Sequence, residues 1–119
     1  MHVIFTNNPD VAAAYPDLTH YHECTVMGIF TAARDAIHCG AVLVTHPLSG
    51  NIKPTKSPYK SVIISPKKGP LHYKSLQIIE EAIIISTRML RKNYTYDESI
   101  LQDYRIIDLD LVNSALAFL

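Results

Sequence analysis

Residues 45–61 read THPLSGNIKPTKSPYKS and separate two short apolar runs, Ala41–Val44 and Val62–Ile64. Both runs are rich in β-branched residues, which predicts two buried strands. The stretch between them has neither a helical nor a strand period, and loops this long in a small domain are usually functional or disordered. Its prolines fix the backbone and favour extended geometry, so an ordered functional loop is the better interpretation.

The chain before this loop predicts alternating strands and helices. Val3–Phe5 is typical of a buried strand, a short helix is expected from Asp10 to Tyr15, and Leu18–Cys24 carries polar residues on both faces, as an edge strand does. Thr25 is a suitable N-cap for a helix that Gly40 closes. The apolar stripe of this helix consists of Val26, Ile29, Phe30, Ala33 and Ile37.

The chain after the loop predicts one further strand and two helices. Ser61–Ser65 is the strand, and a helix is expected from His72 to Arg91. This helix has two apolar rows, of which one sheet can cover only one. The first row consists of Leu76, Ile79, Ile83 and Leu90, and the second of Ile78, Ala82, Ile85 and Met89. Residues 96–119 carry a second helical stripe, which we expect to cover the other row from within the chain or from a partner. This stripe consists of Ile100, Tyr104, Ile107, Leu111 and Ala115.

These elements predict a single α/β domain over residues 1–119. The strand–helix–strand order indicates a mainly parallel sheet of about four strands with helices packed on it. A C-terminal helix within residues 97–119 is expected to cover an apolar face, either in the same chain or at the interface of a homodimer.

Composition restricts the function classes. A formal net charge of zero argues against a general nucleic-acid or membrane-surface binder. Charge is nevertheless unevenly distributed, because residues 36–79 contain several lysines and no acid, whereas residues 97–110 are acidic. The sequence has no signal-peptide pattern and no apolar run long enough to span a membrane, and we expect a cytoplasmic protein.

Polar residues follow the two strands that are easiest to place. In a parallel sheet the carboxyl ends of the strands share one edge, where ligands bind, so both sets could orient a small polar molecule. Lys53, Lys56 or Lys60 could neutralise its carboxylate or phosphate. The alternative is that these are ordinary turn residues without a ligand. The two sets are Thr6, Asn7 and Asn8 after the first strand, and Thr45, His46, Ser49 and Gly50 after the later one.

His46 is the strongest candidate for a catalytic residue, since with Ser49 nearby it could act as a general base. The stretch lacks a G-x-S-x-G motif and an acid to orient the ring, so a histidine that caps its own loop is the better interpretation. We therefore predict no catalytic residue, with His46 as the weak exception.

Other sites are disfavoured. His20 and His22 could lie on one strand face, but two ligands do not make a metal site. Cys24 and Cys39 form no C-x-x-C pattern, and we expect both in the core. The glycines match no phosphate-binding motif, and the lysine-rich centre matches no nucleic-acid-binding module. We predict no cofactor, no metal, no nucleic acid and no membrane partner.

The loop also carries a family resemblance. Residues 43–54 and 57–61, together with Phe5–Pro9 and the helix near residues 75–82, resemble the small GrdX-type proteins encoded with the glycine, sarcosine and betaine reductases of anaerobic amino-acid-fermenting bacteria. The resemblance covers most of residues 3–90 and brings no catalytic residues. It implies an accessory protein of glycine reductase metabolism rather than a redox carrier, with reductase subunits as possible partners.

The residues and the resemblance together predict a small-ligand site for an anionic or amino-acid-like molecule. An assembly partner of reductase subunits without a ligand is the alternative, and a small enzyme that uses His46 is the third reading. The residues of the predicted ligand site are Thr6, Asn7, Asn8, Thr45, His46, Ser49, Gly50, Lys53, Tyr59 and Lys60.

Overall fold

The computed structural model describes residues 2–48, 57–89 and 96–119. These ranges form four strands and four helices. In chain order they are β1 (Val3–Thr6), α1 (Pro9–Ala14), β2 (Thr19–Tyr21), α2 (Val26–His38), β3 (Val42–Leu43), β4 (Ser61–Ser65), α3 (Tyr73–Met89) and α4 (Glu98–Ala117).

The strands form one mixed sheet in the order β2-β1-β4-β3. β1 and β2 are parallel, whereas β4 runs antiparallel to both β1 and β3. The α/β class is thus confirmed, but the prediction of a mainly parallel sheet is wrong. The sequence of the connection between β3 and β4 has no helical period, and antiparallel neighbours need no crossover helix.

The mixed sheet still places the predicted strand ends together. Because β1 and β3 are both antiparallel to β4, they run in the same direction and their carboxyl ends reach the same edge. The register pairs Thr6 with Ser61 at this edge, and the Val44 N–H donates to the Ile63 carbonyl at 2.9 Å just beyond β3. This edge, with the start of β4 between the two strand ends, is where the candidate site lies.

Alternation along the strands separates two apolar clusters. Phe5, Val62 and Ile64 pack with α2 and α3 on one face of the sheet. Ile4 and Ile63 point to the opposite face, where α1 and α4 cover them. The side-chain period of two in a strand therefore produces a three-layer arrangement with the sheet in the middle.

The predicted features of α2 are confirmed. Thr25 caps the helix by accepting a hydrogen bond from the Gly28 N–H at 3.2 Å, and every residue of the predicted stripe is buried. Gly40 has φ 108°, and a Cβ at this position would lie 2.6 Å from the Gly69 nitrogen. Glycine is therefore required at residue 40 both by the backbone conformation and by the close approach of the turn after β4.

α3 begins beside the edge strand β3. Ser75 is buried, and its Oγ accepts a hydrogen bond from the Leu43 N–H at 3.0 Å. The same hydroxyl lies 2.7 Å from His72 Nδ1, which also accepts from the Ser75 N–H at 3.2 Å. The start of α3 thus satisfies a backbone donor that an edge strand would otherwise expose.

α4 lies elsewhere than the sequence suggested. It packs with α1 on the face of the sheet opposite α3, so it does not cover the second apolar row of α3, and Ile85 in that row is 41% exposed. Much of the stripe that we expected α4 to bury faces outward, with Ile100 41% and Ile107 40% exposed, whereas its last member, Ala115, packs against the cluster under α4. The buried row lies one residue further along the helix and includes Asp108 and Val112.

Two smaller findings complete the fold. Cys24 and Cys39 are exposed free thiols, so the expectation that both belong to the core is wrong. Within the ranges that the structure describes, no helix has the length and apolar character needed to cross a membrane.

Candidate functional site

Asn7, directly after β1, holds the residues just before β4 in place through its side chain. Its Nδ2 donates to the carbonyls of Cys24 and Pro58, both at 2.8 Å, and its Oδ1 accepts from the Lys60 N–H at 2.8 Å. The side chain is 6% exposed, and its amide group is fully used within the protein. Asn7 therefore fixes the backbone of Lys60 beside the sheet rather than offering hydrogen bonds to a ligand.

Asn8 joins α1 to α4. Its Oδ1 accepts from the Asp10 N–H at 3.0 Å, as an N-cap side chain does. Its Nδ2 donates to the Arg105 carbonyl and to Asp108 Oδ2, both at 3.0 Å. Because Asn8 is fully buried, these bonds satisfy groups that would otherwise be costly to remove from water.

A chain of hydrogen bonds ends on Asp108. Ser61 Oγ donates to Asp108 Oδ2 at 2.7 Å, and Thr6 Oγ1 lies 2.7 Å from Ser61 Oγ. Since the single Ser61 proton goes to the carboxylate, Thr6 must donate to Ser61, and Thr6 Oγ1 in turn accepts from the Asn8 N–H at 2.9 Å. The network places a carboxylate, only 7% exposed, at the strand-end edge of the sheet.

Lys60 accompanies this carboxylate. Burial raises the pKa of Asp108, and the hydrogen bonds from Ser61 and Asn8 and the charge of Lys60 oppose that rise. Burial likewise lowers the pKa of Lys60, and the charge of Asp108 opposes that fall. Each group thus favours the ionised form of the other in a place where burial penalises both charges.

A cavity of about 340 Å³ opens beside this pair, between α4 and the ends of β3 and β4. Its polar groups belong mainly to the strand ends, and the apolar part of its wall comes mainly from the last turns of α4. The lining residues are Thr45, His46, Lys60, Ser61, Ile63, Asp108, Leu111, Val112, Ser114, Ala115 and Phe118.

All the residues of the predicted ligand site except Tyr59 divide into three groups. Thr45, His46 and Lys60 line the cavity, whereas Thr6, Asn7 and Asn8 are buried behind it as its framework. Ser49, Gly50 and Lys53 lie outside the described residues, as does the alternative cation Lys56.

His46 and Tyr59 also have structural partners. His46 Nδ1 accepts a hydrogen bond from the Leu48 N–H at 3.1 Å, which is the contact expected of a histidine that caps its own loop. Tyr59 Oη accepts from Arg105 Nη1 at 2.9 Å, and the guanidinium carbon lies 5.6 Å from the centre of the tyrosine ring. Tyr59 therefore attaches α4 to the loop before β4.

Sequence reasoning missed Ser61, Asp108 and the cavity residues of α4. A signal for Asp108 was present, because it stands in the same helical row as Leu101 and Val112, where an acid interrupts an otherwise apolar series. An acid in such a row needs partners in the fold. The significance of Asp108 was missed because the neighbouring stripe, which includes Ile107 and Leu111, was predicted to be the buried one.

The histidines of the edge strand contact an aromatic ring. The rings of His20 and His22 lie 5.4 Å and 6.0 Å from that of Phe5, measured between centroids. Among the residues that the structure describes, no group of three or more His, Cys, Asp or Glu residues is placed to hold a metal ion.

Comparison with known proteins gives one finding. The family model described as GrdX-like protein matches residues 3–117, which include the whole framework and every cavity residue except Phe118. No curated protein and no solved structure matches the chain. Because the match spans almost the whole sequence, from β1 to the last residue of α4, the chain belongs to the GrdX-like family.

Proposed function

We propose that the cavity between α4 and the strand ends binds a small anionic or amino-acid-like molecule, and that the protein serves as a non-catalytic cytoplasmic accessory protein. The observation that carries this proposal is that Lys60 and Asp108, two groups of opposite charge, both line one largely apolar cavity. Charged groups in such a place impose a desolvation penalty that stability alone does not require. Binding of a ligand with complementary charges accounts for the presence of these two charged groups at the cavity.

The size and position of the cavity support a small ligand. Its volume of about 340 Å³ is at the lower end of the range of natural small-molecule sites. It lies outside the carboxyl ends of β1 and β3, which is where α/β sheets usually place ligands. A few convergent polar groups on an apolar wall are also the usual composition of such sites.

The framework supports binding because it fixes the polar groups in advance. Asn7 holds the Lys60 backbone, and Ser61 and Asn8 both hold the Asp108 carboxylate through Oδ2. Groups already in place lose little conformational entropy when a ligand arrives. The buried residues predicted as direct ligands, Thr6, Asn7 and Asn8, therefore act in this proposal as positioning residues.

The proposal can be tested by NMR titration of the protein with a panel of small carboxylates, amino acids and inorganic phosphate at millimolar concentrations. At least one compound should shift the amide signals of Thr45, Lys60 and Ser61 together with those of α4 from Asp108 onward. Lys60→Met should weaken that binding by about tenfold or more, as expected when a charge-assisted hydrogen bond is lost.

Lys74→Met is the matched control, because Lys74 is exposed at the start of α3, on the other face of the sheet. It should bind as the wild type does, and both variants should keep their melting temperature. If no compound produces localised shifts, or if Lys60→Met binds as well as Lys74→Met, the proposal is wrong.

The assembly function remains a second candidate because α4 has an exposed apolar stripe. Ile100, Tyr104, Ile107 and Leu111 fall on one side of α4 at the alternating spacing of four and three residues seen in coiled-coil seams. Exposure of Ile107 and Leu111 reaches 40% and 39%. We propose a second copy of the chain as the occupant, with a reductase subunit as the alternative partner.

Light scattering coupled to gel filtration tests the second candidate. A dimer that Ile107→Glu converts to a monomer, while Ile84→Glu at the somewhat more exposed position on α3 leaves it intact, would support it. A monomeric wild-type protein at about 100 μM, well above the Kd of a stable dimer, would contradict self-association.

A further inference from the structure

Two groups of opposite charge line the cavity, and this restricts the chemistry of the ligand further than the cavity volume does. Lys60 and Asp108 both line the cavity, so a bound molecule contacts a cation and an anion in the same site. A ligand with only a carboxylate would place that group near a second, buried carboxylate. A ligand with only an amine would meet the ammonium of Lys60.

The carboxylate of Asp108 is arranged so that it can accept from a ligand. The side-chain hydrogen bonds from Ser61 and Asn8 both end on Oδ2, and the Ser61 backbone N–H also donates to this carboxylate. An ionised carboxylate has about four acceptor sites on its two oxygens, so a further donor can approach it from the cavity side. The three bonds within the protein also hold the carboxylate in place before a ligand arrives.

The ammonium of Lys60 suits the other end of the ligand. Its three N–H donors allow it to hold a carboxylate while it keeps contacts within the protein. Its backbone is fixed by the Asn7 side chain through a 2.8 Å hydrogen bond, so the start of this long side chain is already positioned. The Thr45 hydroxyl lines the same cavity and adds a further polar group.

The remaining wall is apolar. Around the same cavity lie Leu111, Val112 and Ala115 from α4, Phe118 directly after α4, and Ile63 from β4. Burying a hydrocarbon group against such a wall contributes binding energy in proportion to its area. A molecule that carries both charges and a short hydrocarbon branch would therefore use the whole cavity, whereas glycine or a simple carboxylate would use only part of it.

We propose that the ligand of this cavity is a small zwitterion, an amino acid with an apolar side chain, whose amine is held by Asp108 and whose carboxylate is held by Lys60. This inference rests on the proposed binding function and names its ligand class. It assigns Asp108, which the sequence did not point to, as the residue that distinguishes an amino acid from a simple carboxylate.

Calorimetric titration with four probes tests the inference on the full chain. Leucine carries both charges and a branched side chain, 4-methylpentanoate lacks the amine, 3-methylbutylamine lacks the carboxylate, and glycine lacks the side chain. We expect leucine to bind more tightly than each of the other three by about tenfold or more, which corresponds to one charge-assisted hydrogen bond or a comparable buried apolar group.

Two variants separate the charges. Asp108→Asn keeps the size of the side chain and an oxygen for Ser61 and Asn8, and should reduce the preference for leucine over 4-methylpentanoate to about twofold or less, since the charge-assisted bond is lost. Lys60→Met should weaken both carboxylates. Asp110→Asn, on the exposed side of α4, is the matched control and should change neither.

The outcomes distinguish the inference from the function on which it rests. If 4-methylpentanoate binds as tightly as leucine and Lys60→Met abolishes both, the cavity binds anions and the zwitterion inference is overturned. If none of the four probes binds, or if the Lys60 and Asp108 variants change only the melting temperature, these two residues have a structural role alone. Both proposals then fail.

Discussion

The two faces of the sheet hold their helices in different ways. α2 and α3 pack through an extensive apolar cluster that includes Phe30, Ile37 and Ile79, all fully buried. On the other face, α1 and α4 share a smaller apolar cluster built around Ile4, Ile63 and two valines. Hydrogen bonds from Asn8 and Ser61 supplement that smaller cluster by reaching α4 directly.

This difference indicates that one face of the sheet mainly stabilises the fold, whereas the other carries the candidate site. The apolar face supplies most of the stability, since hydrophobic burial is the dominant favourable term in folding. The polar face contains the charged pair and the cavity, and it contributes less stability for each contact because buried charges carry a desolvation penalty. Variants on the two faces should therefore differ both in size and in kind.

The largest effect is expected from the apolar face. Phe30→Ala removes a fully buried ring from the cluster between α2 and the sheet. The loss in free energy of unfolding should be about 3–5 kcal/mol, as for other buried aromatic residues replaced by alanine. Chemical denaturation followed by circular dichroism measures it, and a loss below about 1 kcal/mol would show that this face does not dominate stability.

Asn8→Ala should have the next largest effect, and it should act locally. The variant loses the N-cap of α1 and both side-chain donors to α4. We expect a loss of about 2–3 kcal/mol, with amide exchange accelerated in α1 and α4 and nearly unchanged in α2.

Asn113→Ala provides the control for Asn8→Ala. Asn113 also joins α4 to the α1 region, through the Tyr15 hydroxyl, but this hydrogen bond is exposed. Its removal should change stability by less than about 1 kcal/mol. Equal effects of the two variants would mean that the buried network is not what attaches α4.

Two smaller effects on stability test which side of α4 is packed against the rest of the domain. Val112→Ala acts in the buried row, where the residue is 4% exposed, and should destabilise by about 1–2 kcal/mol. Ile107→Ala acts in the outer stripe and should stay within about 0.5 kcal/mol. Thermal unfolding in dilute solution measures both, and the reverse order would show that the outer stripe is the packed one.

The smallest effect is a pH dependence that arises from Asp108. Burial raises the pKa of this carboxyl, so the folded chain takes up its proton at a higher pH than the unfolded chain does. Its contribution to stability is then fully present below the usual carboxyl pKa and is lost as pH rises through the raised value. Asp108→Asn cannot ionise and should gain stability relative to the wild type between about pH 4 and pH 7.

Denaturation curves measured across this pH range test the prediction, with Asp110→Asn as the matched exposed variant. The Asp110→Asn variant should follow the wild type more closely. A difference between Asp108→Asn and the wild type that does not change with pH would contradict the burial of an ionising group at this position.

Much of the fold follows from local sequence signals. The stripe of α2, its Thr25 cap and the closing Gly40 were each predicted, and so were the bounds of β4 at Ser61–Ser65. These features depend on contacts within a few residues or on one side-chain period, which a single sequence displays directly.

The errors concern relations between distant segments. The antiparallel direction of β4 relative to β3 is a relation between two strands separated in sequence, and no local period indicates it. The buried side of α4 was misassigned because two neighbouring rows are both rich in apolar residues, and only the sheet and α1 decide between them. Asp108 was missed for the same reason, since its partners Asn8 and Ser61 are far from it in sequence.

The candidate site was predictable in place but not in composition. The sequence located the edge of the sheet and three cavity residues, Thr45, His46 and Lys60. The sequence could not reveal that the side chains of Thr6, Asn7 and Asn8 form hydrogen bonds within the protein. A buried asparagine and a ligand-binding asparagine look alike in a sequence. The acid that completes the site, Asp108, lies beyond residues 3–90, over which the resemblance was noted from sequence, although the family model extends to residue 117.

Native mass spectrometry tests the central claim most directly. The wild type, Lys60→Met and Lys74→Met would be incubated with the small-molecule fraction of an extract from cells that express the protein, then sprayed gently from volatile buffer. We predict one bound small molecule per chain in the wild type and in Lys74→Met, and loss of that adduct in Lys60→Met. The bare mass in all three proteins, or the same adduct in all three, would contradict a ligand site at Lys60.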